Sequence, residues 1–243
     1  MPELKYHHIC IPTKVPRPNE RYNPKYKVYA SGYFFSPYGI EWMRFEPDCP
    51  LPELVKTTPH IGFVVDDIRA TLVDKEVVIE PVNPVEGVTT ATIVYNDAPI
   101  EFIEFRIPES AIWPHEAKSE TMQKLKYHYF GIPTDVVRPE DEYIVKAKTY
   151  ASGYLHNPYG VEWMRFDPHS PVDKLIKTVP HVAFVVDDLK EAIAGKELLS
   201  KPSSPSRGIT VAMIADNGAP VEFLQFDGPE FEVWPHNAKF RPV

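Results

Sequence analysis

The apolar residues of this chain fall in short runs of strand length, separated by polar stretches rich in proline. The clearest run, His60-Ile-Gly-Phe-Val-Val65, is made of β-branched and aromatic residues and predicts a strand. Asp66-Asp67 then offers a helix N-cap, and Ile68 to Lys75 predicts about two helical turns. Further strands are expected near Val77 to Glu80, Val88 to Tyr95 and Pro99 to Phe105, giving the order β-α-β-β-β. The preceding stretch carries the same strand signals without the helix. Tyr6 to Ile11 predicts a strand, and Lys14 to Lys25 holds too many prolines for a stable helix. Lys27 to Phe34 and Ile40 to Phe45 predict a hairpin around Ser36-Pro37-Tyr38-Gly39, where proline suits the second turn position. This half reads as a degenerate version of the one that follows.

The whole pattern then repeats. Lys5-Tyr6-His7 returns as Lys126-Tyr127-His128, and Tyr29-Ala-Ser-Gly-Tyr33 as Tyr150-Ala-Ser-Gly-Tyr154. Glu41-Trp-Met-Arg-Phe45 returns as Glu162-Trp-Met-Arg-Phe166, and Trp113-Pro-His115 as Trp234-Pro-His236. The register is constant, no gap is needed, and about half of the aligned positions are identical. A repeat this long is a duplicated domain rather than a solenoid unit. The expected domains are residues 1–122 and 123–243, with a polar linker at Ser119 to Gln123. In the second copy Asp187-Asp188 caps a better helix that stops at Gly195, and Asn217-Gly218 is a strong hairpin turn.

Composition narrows the classes. The 27 prolines cluster between apolar runs, which favours a strand-rich fold. A formal charge of −8 argues against nonspecific nucleic-acid binding, which needs a basic surface. No apolar run approaches the length of a membrane-spanning helix, and Met1-Pro2-Glu3-Leu4-Lys5 lacks the layout of a signal peptide, so a cytoplasmic protein is expected. The cysteines, Cys10 and Cys49, are Gly131 and Ser170 in the other copy, and are expected to be free thiols.

Four short strands in each copy carry a histidine or glutamate in a repeated context. In the first these are His8, Glu41, His60 and Glu101; in the second they are Tyr129, Glu162, His181 and Glu222, with His128 beside the odd tyrosine. Side chains alternate along a strand, so the residue two places on shares the histidine's face. It is small each time: Cys10, Gly62, Gly131 and Ala183. Such a neighbour is expected to leave room for an ion or ligand. Glu101 shares its face with Ile103 and Phe105, and a carboxylate in an apolar cleft needs a cation or a donor. Two histidines with two glutamates suit zinc, nickel, cobalt, manganese or iron. A lone strand histidine is more often a hydrogen-bonded core residue, so the weight rests on the matched set. Trp42, Trp163, Met43 and Met164 read as core; Arg44 and Arg165 fall on the face opposite the glutamates, placed to brace a carboxylate. Tyr33, Tyr38, Tyr154 and Tyr159 are explained by turn packing, with pocket lining as the alternative.

His181-Val-Ala-Phe-Val-Val-Asp-Asp-Leu189, a helix, Val211-Ala-Met-Ile-Ala215 and Ala219-Pro-Val-Glu-Phe-Leu224 resemble the vicinal oxygen chelate, or glyoxalase-like, superfamily. The resemblance covers most of both copies and implies an α+β fold, with paired βαβββ modules forming curved mixed sheets around a divalent metal. It implies metal ligands at His8, Glu41, His60 and Glu101, and at Glu162, His181 and Glu222. At the fourth position of the second copy Tyr129 replaces the histidine, which leaves three outcomes: an altered site, recruitment of His128 through a bulge, or no metal. The ligand set could also be shared between copies.

The leading expectation is a metal-dependent lyase, isomerase or epimerase acting on a small oxygenated metabolite through an enolate-like intermediate. Glu41, Glu101, Glu162 and Glu222 are its candidate proton-moving carboxylates. The alternatives are a non-catalytic binder of a small molecule or metal, and a ring-cleaving dioxygenase. Expected partners are a small-molecule ligand and a second copy in a homodimer, with neither nucleic acid nor membrane.

Overall fold

The computed structural model describes residues 4–113, 125–154 and 157–233. They fall into two compact units that part between residues 123 and 124. The expected linker at Ser119 to Gln123 lies outside the described residues, as do Pro114-His115 and Trp234-Pro-His236.

The first unit contains β1 (Lys5–Pro12), β2 (Arg21–Asn23), β3 (Val28–Ser31), β4 (Ile40–Phe45), β5 (His60–Val64), β6 (Val77–Val82), β7 (Val88–Tyr95) and β8 (Ala98–Phe105). They form one mixed sheet in the order β2-β3-β4-β1-β5-β8-β7-β6. β1 runs parallel to β4 and β5 runs parallel to β8, while β1 and β5 meet antiparallel at the middle. The sheet is thus two four-stranded modules side by side, and its four central strands are those that carry His8, Glu41, His60 and Glu101. The second unit repeats the plan with β9 (Lys126–Pro133), β10 (Glu142–Ile144), β11 (Thr149–Ser152), β12 (Val161–Phe166), β13 (His181–Val185), β14 (Leu198–Ser203), β15 (Ile209–Asp216) and β16 (Ala219–Phe226). Its order is β10-β11-β12-β9-β13-β16-β15-β14.

Strand alternation divides each central strand between two faces. Ile9, Ile61, Phe63, Ile100 and Phe102 lie on one, each at most 1% exposed, and Phe130, Phe184 and Phe223 do so in the second unit at no more than 2%. Burying each such side chain stabilises the fold by about 1.5–3 kcal/mol. The other face is left for the histidines and glutamates.

The helical segments are shorter than expected. Asp67 caps the first by accepting from the Ala70 amide, but the helix covers only Ile68–Thr71 and gives way to a positive φ of 59° at Asp74. Its counterpart is Leu189–Ala192, ending ahead of Gly195 at φ 69°. Two further one-turn helices, Glu53–Thr57 and Lys174–Thr178, precede β5 and β13. The hairpin expected from Lys27 to Phe45 contains a 3-10 turn at Tyr33–Phe35 after the strand ends at Ser31.

Where a helix would cover the first module, the proline-rich segment lies instead. Arg44 clasps Glu20 through Nε at 3.0 Å and Nη2 at 2.6 Å, with its guanidinium 3.9 Å from the centre of the Tyr29 ring. Arg17 of the same segment lies 4.1 Å over buried Trp42. Arg165 with Asp141 and Arg138 over Trp163 repeat the arrangement. Arg44 and Arg165 brace a carboxylate, as expected, but one on the segment rather than a glutamate of the site.

Candidate metal centre

The antiparallel junction of each unit sets the geometry of the site. His8 stands opposite Gly62 and His60 opposite Cys10; in the second unit Tyr129 stands opposite Ala183 and His181 opposite Gly131. Each large ring therefore faces a small residue on the neighbouring strand. A Cβ at Gly62 would fall 2.4 Å from His8 Cε1, and one at Gly131 would fall 2.1 Å from His181 Cε1. The small residues were expected to make room for an ion. They make room for the ring across the ladder, a relationship set by strand register and absent from spacing within one strand.

In the first unit, His8, His60 and Glu101 present donor atoms that all lie within 4.8 Å of one another. Glu101 Oε2 is 3.4 Å from His8 Nε2 and 4.0 Å from His60 Nε2, while Glu41 Oε2 stands 4.0 Å from His8 Nε2. The two imidazoles meet edge to face with ring centres 5.6 Å apart. Burial drives the His60 ring down to about 4, which keeps it neutral with a free lone pair near neutral pH. His60 Nδ1 is buried without a hydrogen-bond partner among the described residues. Burial raises Glu41 to about 7; burial and then the charge of Glu41 raise Glu101 to about 8. A neutral His60 ring and the His8 ring, facing carboxylates whose charge burial penalises, form a donor set suited to a cation, and these residues fit a divalent metal.

Behind His8 stands a hydrogen-bonded chain of side chains that the sequence did not announce. His7 is the extra residue of a β-bulge, its Nδ1 2.8 Å from His8 Nδ1. On its far side His7 Nε2 lies 2.9 Å from the Tyr33 hydroxyl, which donates to Glu109 at 2.7 Å. A proton on His8 Nδ1 would leave Nε2 bare on the side of Glu101 and Glu41. The His7-His8 pair and the repeated Tyr33 were visible signals; Glu109, more than a hundred residues from His7, was not.

The second unit holds the same backbone with a different wiring. The Tyr129 hydroxyl donates a hydrogen bond to Glu222, and His181 Nε2 lies 3.2 Å from the same hydroxyl oxygen. Because the phenol proton goes to Glu222, the proton of the other contact belongs to His181 Nε2. That nitrogen then has no lone pair for a metal unless the phenol moves. His128 does sit at a bulge, where it meets Glu230 at 3.0 Å and the Tyr154 hydroxyl at 3.0 Å. Burial raises Glu222 to about 7, and burial with the charge of Glu222 raises Glu162 to about 8.

A cavity of about 670 Å³ opens beside this second group, lined by Tyr129, Tyr154, Glu162 and Glu222 at its polar end. Met164, expected in the core, is one of its walls, and Tyr154 lines it too. Tyr33, Tyr38 and Tyr159 are buried in packing, and Cys10 and Cys49 are free and buried. No helix among the described residues is long and apolar enough to cross a membrane.

Strand order, paired modules and the face shared by the histidines and glutamates make two tandem copies of one unit, each a mixed eight-stranded sheet of two four-stranded modules. No family model matches the chain, and no curated protein matches its sequence. Among solved structures, a triple mutant of 4-hydroxymandelate synthase from Streptomyces coelicolor is similar over 94% of each chain, at 12% identity and a TM-score of 0.49. A hypothetical protein from Staphylococcus aureus is similar over 92% of this chain and 100% of its own, at 15% identity and a TM-score of 0.43. A fusion of a xylose isomerase-like barrel with 4-hydroxyphenylpyruvate dioxygenase is similar over 86% of this chain and 45% of its own, at 11% identity and a TM-score of 0.36.

Proposed function

We propose that the first unit is a metal-dependent enzyme that moves a proton on a small oxygenated metabolite, in the manner of a lyase, isomerase or epimerase. The observation that carries this reading is Glu41 standing beside, and not inside, the compact group of His8, His60 and Glu101. Those three would hold a zinc, nickel, cobalt, manganese or iron ion, which supplies Lewis-acid stabilisation of charge developing on paired substrate oxygens, as in an enolate. Glu41 would take the proton and return it. Its acidity, shifted by burial to about 7, allows both forms near neutral pH. His7, Tyr33 and Glu109 would hold the His8 ring in one tautomer.

Metal analysis of the chain purified without chelator, followed by deuterium exchange from solvent into a panel of α-hydroxy ketones and related acids, tests the reading. Bound metal with exchange that E41Q abolishes is expected. Metal-free protein, or exchange unaffected by E41Q, would overturn it.

One observation favours a second reading. Three donors, two histidines and one carboxylate, lie within 4.8 Å, and that set with open positions suits a non-haem iron oxygenase. Oxygen uptake by the iron-loaded protein with a catechol or an α-keto acid, undiminished in E41Q, would select it over proton transfer.

A further inference from the structure

The second unit departs from the first at the one point where the proposed metal group is assembled. Its four site positions are not equivalent in their hydrogen bonding. Tyr129, His181 and Glu222 satisfy one another through the phenol. Glu162 is left over. It is the counterpart of Glu41, but the ring that approaches Glu41 in the first unit is here the tyrosine, whose hydroxyl is committed to Glu222. No hydrogen bond or ion pair to Glu162 is found among the described residues.

Glu162 also lines the cavity. Strand alternation puts Met164 and Phe166 on its face of β12, and Met213 and Leu224 contribute further apolar wall. Ser200, Ser203 and Lys146 lie elsewhere on the lining; Lys146 is held to the Ser204 carbonyl at 3.1 Å, not to Glu162. A volume of about 670 Å³ is that of a small-molecule site rather than a packing defect. A carboxylate in an apolar enclosure, with no protein donor, is costly until a cation or donor meets it.

We propose that this cavity is a metal-independent binding site for an organic amine, its ammonium group on Glu162 and its apolar body against Met164, Phe166, Met213 and Leu224. Glu222, close enough to influence Glu162, adds negative potential at the same end. A carboxylate ligand would meet that potential as a repulsion, and an alcohol would gain only a neutral hydrogen bond. The site is built by the second unit alone and is independent of whether the first holds a metal.

The test is calorimetric titration of the full chain, in EDTA, with three probes of one shape: phenethylamine, phenethyl alcohol and phenylacetate. At about pH 8.5 the amine is still charged and the carboxyl largely ionised. One amine per chain is expected, bound about tenfold or more tighter than either other probe, since a charged hydrogen bond is lost in both. E162Q, checked for folding by circular dichroism, should lose that preference, while E41Q should keep it. Equal binding of the three probes, no binding of the amine, loss of binding in EDTA, or E41Q rather than E162Q removing the preference would overturn the proposal. Should E162Q not fold, the comparison of the three probes on the native chain still decides between the outcomes.

Discussion

The imidazole of His8 lies against the bare Cα of Gly62, its partner across the central ladder, at a distance that no side chain at position 62 could share. Gly62→Ala would place a methyl group 2.4 Å from His8 Cε1 and 2.5 Å from Nδ1. The ring must rotate away or the strands must part. We expect a loss of about 1–3 kcal/mol in stability. Metal affinity should fall about tenfold or more, since ring orientation is lost with position. Urea denaturation and a metal titration check both, and an unchanged affinity would show that His8 is not a ligand.

Tyr129 decides the character of the second unit. Tyr129→Phe leaves the Glu222 carboxyl and His181 Nε2 without their common partner and should cost about 1–3 kcal/mol. Tyr129→His restores the residue found at position 8. If the first unit holds one ion, elemental analysis of this variant after zinc reconstitution should give two ions per chain.

The buried glutamates of the second unit make its stability depend on pH. Glu162 and Glu222 keep their protons in the folded state up to about 8 and about 7, whereas the ordinary value is 4.5. Unfolding therefore releases protons across that window, and stability falls as the pH rises through it. Below 4.5 this contribution is complete, and above about 8 it has been lost. E162Q removes one titrating group, so its stability should gain on that of the native chain as the pH rises. Urea midpoints measured at both ends of the window test the sign; an E162Q midpoint that does not rise relative to the native one would refute it.

Glu20→Ala should leave Arg44 without its carboxylate and lower stability. The effect should be local. Hydrogen exchange is expected to speed up in β2 and around Arg17 while β7 and β8 remain protected.

Much of the architecture could be read from the chain because it is local and repeated. The duplication, the β-α-β-β-β half, the missing helix of the first module and the four strands carrying His8, Glu41, His60 and Glu101 all follow from short-range pattern. What could not be read depends on partners distant in sequence. β2 and β10 are three residues long and exist because β3 and β11 pair with them, so no hydrophobic period announces them. The true role of Gly62 and Gly131 needs the register of two strands. The capture of Glu222 by Tyr129 joins residues 93 apart, and only coordinates show that the substitution at 129 supplies a partner as well as removing a ligand.

His8 and Glu41 belong to one four-stranded module of the first unit, and His60 and Glu101 to the other, with the single ladder between β1 and β5 as the backbone seam. An ion seated among them would act as a rivet through that seam. In the second unit the equivalent fastening is already made by a phenol reaching over it to Glu222. Two copies of one shape would thus differ in what closes the seam: an ion that a chelator can remove in the first, a hydrogen bond that no chelator reaches in the second.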